Sequence, residues 1–404
     1  MPIILQPRDG LSIKDARGFN VAGGDLARSL SWPLPSTTAG AARTAIGLHR
    51  GFPAGVSDAV RNPWPTLKTE VSVKGPLAAV REIRDGQAVG NWELLWPAPA
   101  DAFPTMDQAA NRNMVEVTRI MPSQPCESRA IVRGCFADST EAQAIDALWP
   151  VTFAEEGKPP SLPAWWTTAD FRSWLLAESC ISIETTVEIK PRFDMHVAID
   201  PSTQTAIDEK LFGLDVYEMR VLTGRGSHAR LCELGIALSV DPQQAVPPLW
   251  RIGGESRIAS ADQSDPKLFD VGDLFEGWID SPRIRLVLIT PAHFHSGWRP
   301  DWLELTTDGP PEFRGVIPGT DLKVVLRSAI VSRAITASGW DFERREPKPS
   351  RRLVPRGSVY FLESTDPGRL FGRADMERLW LRSIQMQDCQ DYRDGFGLVV
   401  AGSF

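Results

Sequence analysis

The chain has 404 residues, a net charge of −7 and a sequence pI near 5.4. That length is comfortable for two domains, each able to bury its own core, and the composition is that of an ordinary globular protein without disordered or collagenous bias. The acidic balance is awkward for a free-standing nucleic-acid binder, so any such role needs a local basic groove or a larger assembly.

The start, Met-Pro-Ile-Ile-Leu-Gln-Pro-Arg-Asp, is too short and too quickly charged for a signal peptide. No apolar run approaches the ~18–20 residues that span a membrane. The five cysteines (Cys126, Cys135, Cys180, Cys232, Cys389) are scattered and never form a Cys-x-x-Cys pair. This argues against a zinc ribbon or disulfide framework and fits a reducing cytoplasm.

The apolar stretch Ile3-Ile4-Leu5 comes first, then a charged turn at Arg8-Asp9-Gly10. Pro33 and Pro35 set an extended approach to a helix over Ala39–Leu48, with Ser36 or Thr37 as its N-cap and Gly51 at its end. Thr69–Arg84 and Asn91–Trp96 read as strands of a hairpin turned at Asp85-Gly86. Asp101–Trp166 is broken and proline-rich, an irregular insertion. Thr167 or Thr168 caps a helix that places Phe171, Trp174, Leu175 and Cys180 on one face.

Ile181–Ile199, Leu211–Leu222 and Arg230–Val240 read as strands, and Arg283–Thr290 is the clearest buried one. Leu353-Val-Pro-Arg-Gly-Ser358 spells the thrombin site of many expression linkers. It nevertheless runs straight into Ser358-Val-Tyr-Phe-Leu362, a strand pattern, and we take it as native. Strand runs with two separated helical stretches predict an α+β chain of two halves, 1–190 and 191–404, meeting between roughly 180 and 200.

The chemistry is sparse. None of the five histidines (His49, His196, His228, His293, His295) sits in a metal-ligand or Ser-His-Asp pattern. His293-Phe-His295 would share one face of a strand, as a structural or surface pair. His228 lies among arginines on a glycine loop, either a ribonuclease-like base or a plain loop.

Gly253-Gly254 before Arg257 allows close backbone approach to a phosphate, or makes a bulge. Gly395, Gly397 and Gly402 surround an apolar run that matches no Walker or Rossmann fingerprint. The cluster Arg344, Arg345, Lys348, Arg351, Arg352, Arg356 is a solvated loop or a patch for a polyanion.

Taken together, six stretches resemble the family of third subunits of type III-B (Cmr) CRISPR effector complexes, a Cas-five-like group of the RAMP superfamily. They are Ser29–Gly47 with its Gly-Ala-x-Arg at Gly40–Arg43; Ala198–Phe212, like the central hairpin; Ile252–Ala259, like the Gly-Gly-Glu-x-Arg loop; Leu286–Pro300; Ala337–Glu363 with its Val-Pro-x-Gly-Ser-Val-Tyr-Phe; and Gly395–Gly402, like the RAMP glycine-rich loop. The family carries the same words at 354–361, usually with a small residue in place of Arg356, so the thrombin site is a coincidence. Segment 101–166 departs from the family pattern.

The resemblance implies two ferredoxin-like (RRM-related) domains with insertions. It also implies a cytoplasmic, non-catalytic subunit without cofactor or metal, which holds the repeat-derived 5′ end of the guide (CRISPR) RNA. Its partners would be the large polymerase/cyclase-type subunit and the first backbone RAMP subunit, with target RNA met indirectly and no membrane. The implied RNA contacts are Arg17, Thr37, Thr38, Gly40, Arg43, Gly253, Gly254, Arg257, Arg351, Arg352, Gly395 and Gly397. In this arrangement the first-turn amides, the threonine hydroxyls and an exposed Arg43 face the guide, and the Gly253-Gly254 loop closes the groove; the alternative is that Arg43 pairs with an acid on a neighbouring strand. Two readings compete: an endoribonuclease acting on precursor guide RNA through His228 or His49, and a scaffold in which glycines and arginines are packing devices.

Overall fold

A computed structural model describes residues 1–16, 26–53, 62–105, 114–124, 139–151, 162–176, 180–184, 186–187, 191–224, 229–254, 257–341 and 346–404. Within them the chain is α+β, with mostly antiparallel sheets. The largest sheet has nine strands. Its main path runs Leu249–Arg251, Ile258–Gln263, Pro2–Pro7, Arg230–Asp241, Ser72–Arg84, Gln87–Pro97, Trp165–Thr167. A seven-stranded sheet runs Glu304–Thr306, Glu312–Val316, Lys323–Ile330, Val359–Ser364, Arg283–Leu288, Leu398–Ser403, Arg382–Ser383. The strands on both sides of the expected 180–200 junction share the first sheet, since 230–241 pairs with both 2–7 and 72–84.

Helix α1, Pro35–His49, lies on the first sheet through Ala39, Ala42, Ala45 and Ile46, all buried. Alanines keep helix and sheet close. Its start differs from the expectation: Leu34, not Ser36 or Thr37, is the N-cap, and Pro35 opens the helix. Proline suits that first position because its ring presets φ and the missing N–H has no intrahelical partner to lose. Gly51, at φ +78°, ends the helix as expected.

Helix α2, Trp64–Glu70, takes in Thr69, so the following strand starts at Ser72. The hairpin after it turns at Asp85 (φ 52°) and Gly86 (φ 77°), the left-handed pair that matches strand twist. The expected irregular insertion holds short strands at Ala102–Pro104 and Met114–Arg119 and helix α3, Thr140–Asp146.

Helix α4 spans Thr168–Leu176. The Thr167 hydroxyl donates to Asp170 Oδ2 (2.8 Å) and accepts from the Asp170 amide (3.2 Å), a side-chain cap. Phe171, Trp174 and Leu175 are fully buried, and Trp96 stacks on Phe171 at 4.8 Å. Full burial of each such side chain stabilises the fold by roughly 1.5–3 kcal/mol. Cys180 does not join that face. The helix has ended, and Cys180 lies exposed on the strand Cys180–Glu184.

Both sheets feed one core: Ile4, Leu77 and Trp96 of the first pack in a cluster with Ile284, Leu286, Phe361 and Val400 of the second. Helices α5, Arg373–Leu379, and α6, Gln390–Asp394, complete the described set. The 283–288 strand is central to its sheet, and its Arg285 is completely buried. Arg285 pairs with Asp101 and donates to the Trp174 carbonyl at 2.6 Å, while Asp101 accepts from the Trp174 indole at 3.1 Å. Arg119 joins through the same carbonyl and through Ser403 Oγ at 3.0 Å. Burial, and next the Arg285 charge, pull the Arg119 guanidinium down to about 9 against the attraction of Asp101. This ionic knot ties the start of the insertion to the second sheet.

Candidate nucleic-acid interface

Leu34, at the entry of α1, packs with Ala337, Leu353 and Phe396 in a small buried cluster of its own. That cluster joins three of the stretches singled out in the sequence. Ala337 and Leu353 belong to a two-stranded ribbon, Ile335–Ala337 against Arg351–Leu353, with Thr336 opposite Arg352. Phe396 sits between Gly395 and Gly397. The sequence therefore brings α1, the basic cluster and the glycine-rich loop to one place.

The individual contacts change several expectations. Arg43 is buried, 8% exposed, and not open to a ligand. Its Nη1 donates to Asp394 Oδ1 at 2.6 Å, and its Nε and Nη2 donate to the Val71 carbonyl at 3.1 and 2.8 Å. Helix α6 brings Asp394 from the far end of the chain, so Arg43 clasps α6 to the first sheet. Thr38 is buried, and its hydroxyl donates to the Pro35 carbonyl at 3.0 Å. Thr37 is half-buried, and the Thr37 and Thr38 amides donate to the Leu34 carbonyl. With no N–H on Pro35, these first-turn donors are already used within the helix. Gly40 is exposed, and a Cβ there would meet nothing within 4 Å. Arg17 lies outside the described residues.

Gly253 adopts φ +77°, and a Cβ there would come 2.8 Å from the Ser12 carbonyl. The Gly254 amide donates to that same oxygen at 2.8 Å, and Arg257 Nη1 donates to the Gly10 carbonyl at 2.6 Å. Arg257 is half-buried, so the expectation of an exposed arginine fails here too. The loop fastens to the turn at residues 10–12. Beyond that turn, Ile13 accepts from the Leu30 amide at 2.8 Å, close to the entry of α1.

Gly395 (φ +92°) ends α6 so close to the first sheet that a Cβ would lie 2.6 Å from the Val73 and Gly75 carbonyls. Gly397 (φ +67°) faces Gln385. Both glycines serve close packing. Arg351 is half-buried; its Nη1 donates to both Asp391 oxygens, at 2.8 and 2.9 Å, and its guanidinium lies 5.4 Å from the Phe396 ring centre.

Arg352, Lys348 and Arg333 are exposed on or beside the ribbon, in contrast to the buried arginines. Arg356 lies 4.4 Å over the Trp165 ring, beside a small cleft lined by Trp32, Pro33, Pro291 and Trp165. Arg344 and Arg345 lie outside the described residues.

Among the histidines, His228 lies outside the described residues and His49 is exposed at the end of α1. His293 and His295 are neighbours, as expected, but in the loop beyond the 283–288 strand. The sequence reading missed their carboxylate partners, Asp391 and Asp301. Asp301 is six residues from His295, within local reach in the sequence; Asp391 reaches His293 only through the tertiary fold. Among the described residues, no group of three or more His, Cys, Asp or Glu is arranged to hold a metal ion. No described helix is long and apolar enough to cross a membrane.

The model of the CRISPR-associated protein family Cas_Cmr3 matches residues 3–404. The chain belongs to that family. Among solved structures, the chain is similar to one from a type III-B Cmr-beta complex bound to cognate target RNA and AMPPnP, with 13% identity and a TM-score of 0.40, covering 89% of this chain and 86% of that one. It is also similar to one from the same kind of complex bound to cognate target RNA, with 14% identity, a TM-score of 0.40 and the same coverage. No curated protein matches.

Proposed function

We propose that the chain is a non-catalytic RNA-binding subunit of a type III CRISPR effector complex. In this reading it holds the repeat-derived 5′ end of the guide RNA and docks the large polymerase/cyclase-type subunit and the first backbone subunit. Membership of the Cas_Cmr3 family supports the assembly. The observation that carries the RNA contact is the convergence of the exposed basic ribbon, the entry of α1 and the glycine-rich loop around Leu34, Leu353 and Phe396.

The net charge of −7 is compatible with this role, because the cations that matter are concentrated on one ribbon and the assembly supplies the rest. RNA contact is assigned to Arg352 and Lys348, with Arg351, Thr37 and Gly40 at the rim; Gly395 and Gly397 are buried and close-packed, and shape that rim from behind. Arg43, Thr38, Gly253, Gly254 and Arg257 act by holding that rim in shape.

For protein partners, the hairpin Arg192–Ile199 and Ala206–Val216 offers an apolar face with Phe193, Met195, Val197 and Leu211 exposed. A contiguous face of this kind suits burial against another subunit. Two ferredoxin-like units, one per large sheet, divide the chain in this reading within 264–282 instead of near 190. In the second sheet the strands 323–330, 359–364, 283–288 and 398–403 lie in the order second, third, first, fourth, which supports a ferredoxin-like unit there. In the first sheet the neighbours 258–263, 2–7, 230–241 and 72–84 lie in the order fourth, first, third, second, all antiparallel, which supports such a unit there as well.

The scaffold reading draws on the packing roles of Arg43, Gly253 and Gly395, and one experiment separates the two. Replacing Arg352 and Lys348 together by Ala should weaken retention of guide RNA by roughly 1.5–3 kcal/mol per charged hydrogen bond lost, with assembly intact. Undiminished retention across a salt titration would favour the scaffold.

A further inference from the structure

His293 Nδ1 lies 3.2 Å from Asp391 Oδ2 and His295 Nδ1 lies 3.0 Å from Asp301 Oδ2, with the two ring centres 5.8 Å apart. We assign the Nδ1 hydrogen of each ring to its carboxylate, which leaves the Nε2 edge of each for an outside partner. The His295 side chain is 89% exposed and that of His293 25%, so both can be reached.

Asp391 also accepts from Arg351. The local charged set is thus Arg351 from the ribbon, Asp391 from α6, Asp301 from the loop, and the two imidazoles. With both rings neutral the set carries a net single negative charge; with both protonated, a net single positive one. The Ala292–Val354 bridge holds His293 against the ribbon, and the Gly397 amide donates to the Pro291 carbonyl at 2.8 Å. The pair therefore stands at the edge of the interface described above.

We propose that His293 and His295, anchored by Asp391 and Asp301 beside Arg351, form a binding site for one phosphodiester of an RNA backbone, engaged when the imidazoles are protonated. The inference rests on the RNA-binding reading and adds a site and a condition to it. A phosphate between the two rings accepts charge-assisted hydrogen bonds from their Nε2–H groups. Those donors exist only on the imidazolium forms of rings whose Nδ1–H faces a carboxylate. Bound phosphate favours protonation, so affinity rises as pH falls.

The test measures binding of a short labelled oligouridylate, whose bases do not titrate in this range, to the full-length chain at constant salt. Between about pH 8 and about pH 5.5 the affinity should rise by about tenfold or more, as protonation turns two neutral rings into charged donors. The H293Q/H295Q variant keeps polar side chains that never charge, and its ratio should fall to about twofold or less. Asp301→Asn, which removes one anchor, should give an intermediate ratio.

If the parent binds RNA and H293Q/H295Q keeps the parent's pH ratio, the site is wrong and the RNA-binding reading stands. If the parent binds RNA at neither pH, the site is wrong, and guide retention by the Arg352/Lys348 variant in the assembled complex decides the RNA-binding reading. Should the double variant fail to fold, imidazole titration by NMR in the parent decides the matter. RNA should raise the pKa of both rings, and unchanged values would overturn the proposal.

Discussion

The entry of α1 and the 335–353 ribbon touch through Leu34, Ala337 and Leu353, yet they use arginine in opposite ways. Arg43 is turned inward, its guanidinium shared between Asp394 and the Val71 carbonyl. Arg352 stands exposed on an edge that contributes little to the core. Both residues occur in stretches that resemble the same RNA-binding family, and both read as phosphate contacts in the sequence. The difference teaches that a helix start followed by arginine is a phosphate cradle only if its first-turn amides and its guanidinium are not already committed. Here Pro35 has no N–H, the Thr37 and Thr38 amides donate to the Leu34 carbonyl, and Arg43 is held by Asp394 and the Val71 carbonyl.

The comparison can be broken by substitutions ranked by burial. The largest effect is expected at the ionic knot: Asp101→Ala leaves Arg285 charged and fully buried, which should cost about 3–5 kcal/mol in chemical denaturation. A loss below about 1 kcal/mol would mean that water or a neighbour satisfies Arg285. Next, Arg43→Ala should cost about 3 kcal/mol by stranding Asp394. Arg43→Lys should recover only part of this, because one ammonium cannot reproduce the guanidinium fork that reaches both Asp394 and Val71. Unchanged stability with lost RNA would reverse the assignment of Arg43.

Gly395→Ala should cost about 1–3 kcal/mol, from the left-handed backbone together with the clash against the Val73 and Gly75 carbonyls. A smaller loss would show that α6 can draw back from the first sheet. The smallest effect concerns the thrombin-like sequence: native protein should resist cutting at Arg356–Gly357. Leu353, Val354 and Ser358 are buried, the Gly357 amide donates to the Leu288 carbonyl at 2.6 Å, and Arg356 covers Trp165. Rapid native cleavage would show that this edge opens locally.

Periodic features were legible in the sequence. Strand patterns marked Thr69–Arg84 and Arg230–Val240, Asp85-Gly86 marked the hairpin, and an apolar run marked Arg283–Thr290 as a buried strand; the strands formed are Ser72–Arg84, Arg230–Asp241 and Arg283–Leu288. Pro35 misled the N-cap reading because threonines two and three residues later have the right chemistry in the wrong place. The Asp101–Arg285 and Arg43–Asp394 pairs join residues 184 and 351 positions apart, and no local pattern announces such partners. For the same reason the sequence could list arginines but not sort them into clasps and contacts.

The most direct measurement is photo-cross-linking of the assembled complex to its guide RNA, followed by mass mapping of the modified peptides of this chain. The account predicts cross-links on the ribbon around Lys348 and Arg352 and on the His293–His295 loop, with none on Arg43. Cross-links confined to other surfaces of the chain, or none to guide RNA at all, would contradict it.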